Sequence, residues 1–341
     1  MQSTTIAVDV AKSVFEIAVS RLAGTVSERH RLPRGRFLEF FADRQPATVV
    51  LEACSSAHHW ARRLQALGHR PILLPPHAVR PYVPRNKTDR TDAKGLLEAA
   101  RNADLHAVPV KSIDQQCLAA LHRLRSTWIA TRTSRINTVR GILRELGHSV
   151  PVGPQHLVST LGRLLREPDS DLPDVLRQSL SEALKEIGDL EAKTKEVERE
   201  LNRLAAGDTT VQRLRSVPGI GLLTATALVA FVGDVRRFRS GRHFASYLGL
   251  TPREMSSGSI RRLGSISKRG DTYVRMLLTH GARSTLWHSK RVEHPDRLRA
   301  WALKIQETRG HNKATCALAN KLARIAWAVW RSDVNYVATT T

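Results

Sequence analysis

The sequence predicts a chain that combines an α/β domain with all-α segments. Two observations lead to this fold class. Residues 5–110 alternate short β-branched runs with amphipathic stretches, the pattern of strands joined by helices that pack on a sheet. Residues 115–341 carry apolar residues at helical spacing over most of their length. The chain has 341 residues, which is enough for roughly two domains or more.

A β-hairpin is predicted first, with strands over Thr5–Val10 and Val14–Val19 on either side of a polar turn. Thr48–Glu52 is the next apolar strand, an amphipathic helix covers 58–67, and Pro71–Leu74 supplies another strand. The order strand, helix, strand predicts a parallel pair with a helix packed on it.

The remaining elements are predicted as helices. Residues 115–147 form a long basic helix or a helix pair, with arginines between the apolar positions. Residues 180–204 repeat apolar residues every three or four positions, a coiled-coil seam that implies a partner helix; the alternative is an amphipathic helix packed within its own chain. Further helices are expected over 272–287, 295–308 and 313–330.

The charge balance indicates a nucleic-acid partner. The formal net charge is +23, and 42 of the 54 basic residues are arginine. From residue 206 onward the net charge is +15, against +8 for residues 1–205. Because the planar guanidinium matches phosphate oxygens in pairs, this excess favours binding to nucleic acid.

Three features predict a cytoplasmic protein that does not enter a membrane. The longest strongly apolar run, 222–233, is too short to span a bilayer. The N-terminus lacks a basic segment followed by a long apolar stretch. Cys54, Cys117 and Cys316 lack zinc-site spacing and leave one thiol unpaired in any disulfide scheme, which fits a reducing compartment.

Four carboxylates are candidate metal ligands. Asp9 lies within the first predicted strand, Glu52 closes a later one, and Asp89 and Asp92 share one face at the start of a helix. Hard oxygen ligands of this kind suit one or two Mg²⁺ ions at a phosphodiester. The alternative is that the two helix aspartates only complement the helix dipole and that Glu52 only ends its strand.

Two motifs stand out in the more basic half. Ser216–Gly221 is predicted as a tight turn before an apolar helix over Leu222–Val232, and its exposed amides suit a DNA phosphate as in a helix-hairpin-helix motif. A plain helix connection is the alternative.

Residues 252–270 form a Ser/Gly loop with a basic run, where a serine would be exposed to a phosphate as nucleophile or hydrogen-bond donor. An ordinary turn is the alternative there.

In this order the motifs resemble the DEDD-type transposases of bacterial insertion sequences, the family called one-ten with its eleven-eleven subgroup, known as bridge-RNA-guided recombinases. The resemblance runs over nearly the whole chain. It rests on five stretches: 6–12 around Asp9, 50–53 around Glu52, 86–93 with Asp89 and Asp92, the turn 217–221, and 249–258 with Ser257 before Gly258.

The resemblance implies three parts. A ribonuclease-H-like (RuvC-like) domain with a basic helical extension covers 1–150, a linker and coiled-coil arm cover 151–205, and a helical transposase domain covers 206–341. It also implies that Asp9, Glu52, Asp89 and Asp92 bind Mg²⁺ and that Ser257 attacks a DNA phosphate to give a 5′-phosphoserine intermediate. Ser256 and Ser259 are neighbours to which the same pattern could apply.

The implied partners are donor and target DNA, a non-coding bridge RNA that selects both by base pairing, and further copies of the chain, as a dimer to tetramer. The protein would act in the bacterial cytoplasm, at the nucleoid. Two other functions stay open. One is a metal-dependent RuvC-like nuclease or junction resolvase in which water attacks, and the other is a non-catalytic helix-hairpin-helix DNA-binding protein.

Overall fold

The computed structural model describes residues 4–54, 56–83 and 89–339, and for Asp89 and Arg90 it describes the backbone alone. Residues 86–88 of the carboxylate motif therefore lie outside the described residues. The chain divides into two units, Met1–Ile113 and Asp114–Thr341. The division into 1–150, 151–205 and 206–341 remains a prediction.

A five-stranded sheet forms the centre of the first unit. Its strands are β1 (Thr5–Val10), β2 (Val14–Ser20), β3 (Glu28–Pro33), β4 (Thr48–Glu52) and β5 (Arg70–Leu74). The spatial order is β3-β2-β1-β4-β5, with antiparallel pairing across β3, β2 and β1 and parallel pairing across β1, β4 and β5. The predicted hairpin and parallel pair are confirmed. This mixed sheet is compatible with the ribonuclease-H-like domain that the resemblance implies.

Helices cover both faces of this sheet. They are α1 (Phe37–Ala42), α2 (Ala57–Ala66), α3 (Pro76–Val79) and α4 (Asp89–Ala100). Alternate strand residues such as Val8 and Leu51 pack with α1 and α2 on one face. Their neighbours Ala7 and Val50 pack with α4 on the other. The period-two alternation therefore decides which strand residues face α4.

Strand β3 is absent from the sequence prediction because it is polar and lies at the sheet edge. Its residues are half-buried or exposed, so it lacks an apolar run. Glu28 holds it by ion pairs to Arg21 at 2.6 Å and Arg44 at 2.8 Å. Hydrogen bonds from Arg44 and His30 lower the pKa of Glu28 to about 2, so this carboxylate stays ionised.

The second unit is mainly helical. Its helices are α5 (Ile113–Glu145, which begins at the last residue of the first unit), α6 (Pro154–Arg166), α7 (Asp174–Ala206), α8 (Thr209–Arg215), α9 (Leu222–Val232), α10 (Gly241–Tyr247), α11 (Thr272–Ser289), α12 (Arg297–Arg309) and α13 (His311–Ser332). A two-stranded ribbon, β6 (Pro252–Glu254) and β7 (Leu263–Ile266), precedes α11. The long basic segment is one helix rather than a pair.

Helices α5 and α7 pair antiparallel. Arg125 contacts Glu198 at 2.7 Å and Arg135 contacts Glu186 at 2.7 Å, so residue numbers rise along one helix as they fall along the other. The predicted seam is buried within the chain, at Leu180, Ile187, Leu190, Thr194, Val197 and Leu201. The coiled-coil arm itself remains a prediction.

Two hydrophobic cores lie along this helix pair. In the main helical core, Leu118 of α5 and Leu201 of α7 pack with α8–α13. In the arm core, Val139 of α5 and Ile187 of α7 pack with Leu161 of α6. Helix α6 lies within 151–205, the stretch that the resemblance assigns to a linker and coiled-coil arm.

A buried imidazole links three helices of the main core. His122 of α5 is 1% exposed, and its ring nitrogens lie 3.0 Å from Tyr273 Oη of α11 and 3.0 Å from Thr226 Oγ1 of α9. Because Thr226 donates its hydroxyl proton to Leu222 O at 2.7 Å, we assign the proton of the neutral ring to Nε2. Burial and the nearby Arg125 lower the pKa of His122 to about 4.

Across the described parts of the chain, every helix is too short or too polar to cross a membrane.

Candidate active site

Asp9 and Glu52 lie side by side on one face of the sheet. Strands β1 and β4 are parallel, with Val8 opposite Leu51, and Asp9 and Glu52 are the next residues along. Each lies two residues beyond an alanine or valine that packs on α4, so both carboxylates share the α4 face. Both are half-buried at the carboxyl ends of parallel strands, where open α/β sheets bind ligands.

Helix α4 brings the aspartate motif to the same face. The helix begins at Asp89, whose side chain lies outside the described residues. Asp92 is half-buried and comes directly before Ala93, which packs on the sheet with Leu96. The first turn of α4 therefore places Asp92 on the side of the sheet that carries Asp9 and Glu52.

The donor set has the chemistry of a site for a hard divalent cation. Carboxylate oxygens are the ligands that Mg²⁺ prefers in proteins. Within 4–54, 56–83 and 89–339, however, no three His, Cys, Asp or Glu side chains come close enough to hold a metal ion. The backbone thus brings Asp9, Glu52 and Asp92 to one face of the sheet, but their side chains do not converge on one point. The side chain of Asp89, the fourth predicted ligand, lies outside the described residues.

Glu16 is an acidic neighbour that sequence reasoning missed. It lies opposite Asp9 in the β1–β2 pairing, and it shares the α4 face with Ala18 two residues later. Arg31 of β3 lies 3.3 Å from its carboxylate. The signal was available in the register of the hairpin, because a three-residue turn between Val10 and Val14 places these two acids in register.

The serine loop is a β-ribbon with Ser257 at its tip. Ser257 and Ile260 exchange backbone hydrogen bonds of 3.2 and 3.1 Å around the central residues Gly258 and Ser259. Gly258 has φ +56° and Ser259 does not have a positive φ, the pattern of a type II′ turn with glycine first. The segment that the sequence predicts as a Ser/Gly loop is therefore an ordered β-ribbon.

The three serines of the tip have different surroundings. Ser256 donates its hydroxyl to Glu254 at 2.8 Å and accepts from the Arg262 amide at 3.2 Å. Ser257 is exposed, and its hydroxyl has no hydrogen-bond partner in the described part of the chain. Ser259 lies within the turn itself. Ser259 is likewise exposed and its hydroxyl has no partner in the described part of the chain, so these surroundings set Ser256 apart from Ser257 and Ser259.

Positive charge surrounds the ribbon. Glu254 is the only acidic residue of 252–270, and it is engaged by Ser256 and, at 3.4 Å, by Arg261. The exposed cations of the segment are Arg253, Arg261, Arg262, Lys268 and Arg269. A hydroxyl at this tip meets a field that attracts phosphates.

The root of the ribbon is fixed to the helical core. Arg275 of α11 is 9% exposed and donates to Leu248 O at 3.3 Å and to Gly270 O at 2.9 Å. Backbone hydrogen bonds close the root from Ser267 to Thr251 O at 2.8 Å and from Lys268 to Gly249 O at 3.0 Å. The ribbon therefore leaves the core in a defined direction.

The turn Ser216–Gly221 joins α8 to α9 and is seated on α11. Gly219 has φ +83°, and a Cβ there would lie 2.8 Å from Gly281 O. A Cβ on Gly281 would in turn collide with the Gly219 carbonyl oxygen. Two glycines are thus required for this close packing of turn and helix. The DNA-binding role of the turn remains a prediction.

Comparison with known proteins agrees with this arrangement. A family model described as "Transposase IS116/IS110/IS902 family" matches residues 211–297, which include the turn and the ribbon. A second model, of the DEDD type and described as "Transposase", matches residues 6–148, which include the sheet and α4. The chain belongs to the IS110 family of transposases.

Relatives of this IS110-family chain match it over nearly its full length. A probable family 20 transposase of Pseudomonas aeruginosa is 40% identical over 338 residues, covering 98% of this chain and 99% of the relative. The IS1328 transposase of Yersinia enterocolitica is 39% identical, covering 96% of each chain. The IS1111A transposase of Coxiella burnetii is 36% identical, covering 96% of this chain and 90% of the relative.

Membership in this transposase family identifies DNA as the substrate and makes the chain a DNA-cleaving and recombining enzyme. A DEDD domain also indicates the use of a divalent metal ion, for which Asp9, Glu52 and Asp92 provide suitable oxygens.

Proposed function

We propose that this transposase cuts and rejoins DNA through Ser257, assisted by carboxylates that bind Mg²⁺. The observation that carries the proposal is the placement of Ser257: an exposed, unpartnered hydroxyl at the end of an ordered arm in a strongly basic segment. A nucleophile must reach a phosphate within a duplex, and a protruding ribbon is suited to that approach.

In the proposed step, Ser257 Oγ attacks a DNA phosphorus. The Oγ–P bond forms as Oγ loses its proton, and the bond from phosphorus to the 3′ oxygen breaks. That oxygen takes up a proton and leaves as a 3′-hydroxyl, while the 5′-phosphate remains on the serine. The phosphoserine keeps the energy of the phosphodiester, so a different 3′-hydroxyl can attack it and complete strand exchange.

Asp9, Glu52, Asp89 and Asp92 are the proposed ligands of Mg²⁺. A bound divalent ion supplies neutralisation of the negative charge that develops on the phosphate oxygens. The shared α4 face of Asp9, Glu52 and Asp92 supports this assignment. In our proposal the metal-binding acids assist the same strand exchange in which Ser257 is the nucleophile.

The finer parts of the proposal concern partners. We infer that a structured bridge RNA guides the enzyme, that it acts as a dimer or tetramer, and that the turn Ser216–Gly221 binds DNA as a helix-hairpin-helix. The net charge of +23 and the dominance of arginine suit the binding of either RNA or DNA. The antiparallel pair of α5 and α7 supports a protruding coiled-coil arm.

Trapping a covalent protein–DNA adduct tests the nucleophile. Wild-type protein with its substrate DNA should form an adduct that survives denaturing electrophoresis and carries a 5′-phosphate on Ser257 by mass spectrometry. Ser257→Ala should abolish it, while Ser259→Ala, a matched change within the same turn, should retain it. An adduct that persists in Ser257→Ala would reassign the nucleophile.

A metal-dependent junction resolvase is the second candidate, favoured by the three acids on one sheet face. It predicts cleavage that Asp92→Asn abolishes and Ser257→Ala spares, with no adduct in either protein.

Sequencing RNA that copurifies with the protein tests guidance separately. One enriched species should be found, and its absence would argue against a bridge RNA.

A further inference from the structure

Arg237 carries a positive charge that the described residues do not balance. Its guanidinium lies 4.5 Å from the ring centroid of Phe238 and 4.5 Å from that of Tyr247. Its Nε and Nη2 atoms are buried and have no hydrogen-bond partner within 4–54, 56–83 and 89–339. Stacking on aromatic faces offsets only part of the cost of removing a guanidinium from water.

Two acidic residues contact the neighbouring Arg236, and both interact with groups other than Arg237. Asp234 accepts the Arg236 amide at 2.8 Å, and Asp333 binds Arg213 at 2.6 Å and lies 4.0 Å from Arg236. A half-buried cation without a counter-ion is costly in a free-standing domain. The arrangement is therefore better explained by an anion that arrives from outside.

Arg237 lies at the root of the serine ribbon. Tyr247, on which it stacks, is 40% exposed and directly precedes Leu248, whose carbonyl is held by Arg275. A Cβ on Gly270 would collide with the Tyr247 carbonyl oxygen, so the two ends of the ribbon converge on this tyrosine. Arg237 and the ribbon thus share one rigid base.

We propose that Arg237 anchors a phosphate of the DNA that Ser257 attacks, set back from the scissile phosphate by the length of the ribbon arm. The proposal rests on the proposed function of Ser257. From Pro252 to Ser257 the arm spans about 17 Å at the rise of a β-strand. This length corresponds to about five nucleotides along one strand of B-form DNA.

The geometry of Arg237 suits this task. Phe238 is 3% exposed and fixes one side of the stack, so little side-chain freedom remains to be lost on binding. The buried Nε and Nη2 atoms hold the guanidinium in one plane, and Nη1, which is not among the buried atoms, is the donor that a phosphate oxygen from outside can reach. A second fixed contact would hold the duplex in register while the tip reacts.

Neutral-phosphate scanning tests this anchor. Single methylphosphonates, which remove the charge of one phosphate, are placed at each position around the cleavage site mapped by the Ser257 adduct, with copurified RNA present. Wild-type binding should weaken by about tenfold when the phosphate at the anchor is neutralised. That position should lie roughly four to eight nucleotides from the cleavage site.

Arg237→Met should bind unmodified DNA about tenfold more weakly and should no longer respond to the methylphosphonate at that position. Arg239→Ala is the matched control, because it removes an exposed arginine of the same segment that stacks on no described ring. It should keep the wild-type pattern of interference. A variant that is merely destabilised would also keep that pattern and lose affinity uniformly.

Three outcomes would overturn the anchor. In the first, wild type forms the adduct but no methylphosphonate roughly four to eight nucleotides from the cleavage site weakens binding. In the second, the methylphosphonate interference of Arg237→Met equals that of wild type. In the third, Arg239→Ala loses the interference as Arg237→Met does. Each leaves the proposed function of Ser257 intact. If wild type forms no adduct, the proposed function fails and the anchor fails with it.

Discussion

Replacing Gly281 with alanine should destabilise the helical unit, although alanine is the better helix former. Gly281 lies inside α11, where the exchange would by itself stabilise the helix by about 1 kcal/mol. The added Cβ, however, would collide with the carbonyl oxygen of Gly219 and lie 3.0 Å from its carbonyl carbon. The obstacle is backbone, which cannot rotate away as a side chain can.

The magnitude follows from these two opposing effects. Forcing one extra methyl into a packed contact costs about 3 kcal/mol at the upper end of the usual range, so the net loss is about 2 kcal/mol. For a unit of this size, that loss should lower Tm by about 4–8 °C. Scanning calorimetry of the full chain would measure the shift in the transition of residues 114–341.

Gly188→Ala provides the matched control. Gly188 lies in α7 and is exposed, and a Cβ there would meet nothing within 4 Å. The same substitution should therefore raise Tm, by about 2–4 °C for a gain of about 1 kcal/mol. A Gly281→Ala protein as stable as wild type, or shifted like Gly188→Ala, would refute the close approach of turn and helix.

Three further predictions concern pH and the ribbon. His122 is neutral in the folded protein, with a pKa of about 4, so its protonation favours unfolding. Its contribution to the free energy of unfolding is complete above about pH 6.5 and falls by about 3 kcal/mol as the pH drops to about 4. Denaturant unfolding of His122→Gln should therefore show a free energy of unfolding that declines less steeply with falling pH. Arg275→Met leaves the carbonyls of Leu248 and Gly270 without their hydrogen-bond donor, which should lower the free energy of unfolding by about 2–4 kcal/mol. Proteolysis within 252–267 should then be faster than in wild type. Gly258→Val must adopt a positive φ at a cost of about 1–2 kcal/mol, so the Ser257 adduct should form more slowly while DNA affinity is kept.

Each of these has a contrary result. An unchanged pH profile in His122→Gln would show that other groups govern acid unfolding. Wild-type protease resistance in Arg275→Met would mean that the root holds without the guanidinium. Equal loss of DNA affinity and adduct in Gly258→Val would indicate that the whole ribbon, rather than its tip, had changed.

Sequence patterns predicted the elements that have a strong apolar period. The hairpin of β1 and β2, the strands β4 and β5, and the long helix α5 all follow from runs or stripes of buried residues. Strand β3 and ribbon strands β6 and β7 do not, because they are polar and exposed and are held by ladder hydrogen bonds and ion pairs. Nothing in their composition distinguishes them from loops.

The candidate site divides in the same way. The shared face of Asp9 and Glu52 follows from strand alternation and could be predicted once the parallel pairing was assumed. The position of Glu16 beside Asp9 also follows once the three-residue hairpin turn is recognised. The stacking of Arg237 on Tyr247 depends on how α10 is placed, and the spacing of these two residues in the sequence carries no period.

The antiparallel helix pair has a consequence for limited digestion. Helices α5 and α7 each run 33 residues, and both enter the main helical core and the arm core. Residues 166–169 are exposed and lie between Leu164 and Leu172, which both belong to the arm core. A protease that nicks the chain there would sever the polypeptide without releasing either fragment, because buried leucines on both sides of the cut would keep the two pieces together until the protein is denatured.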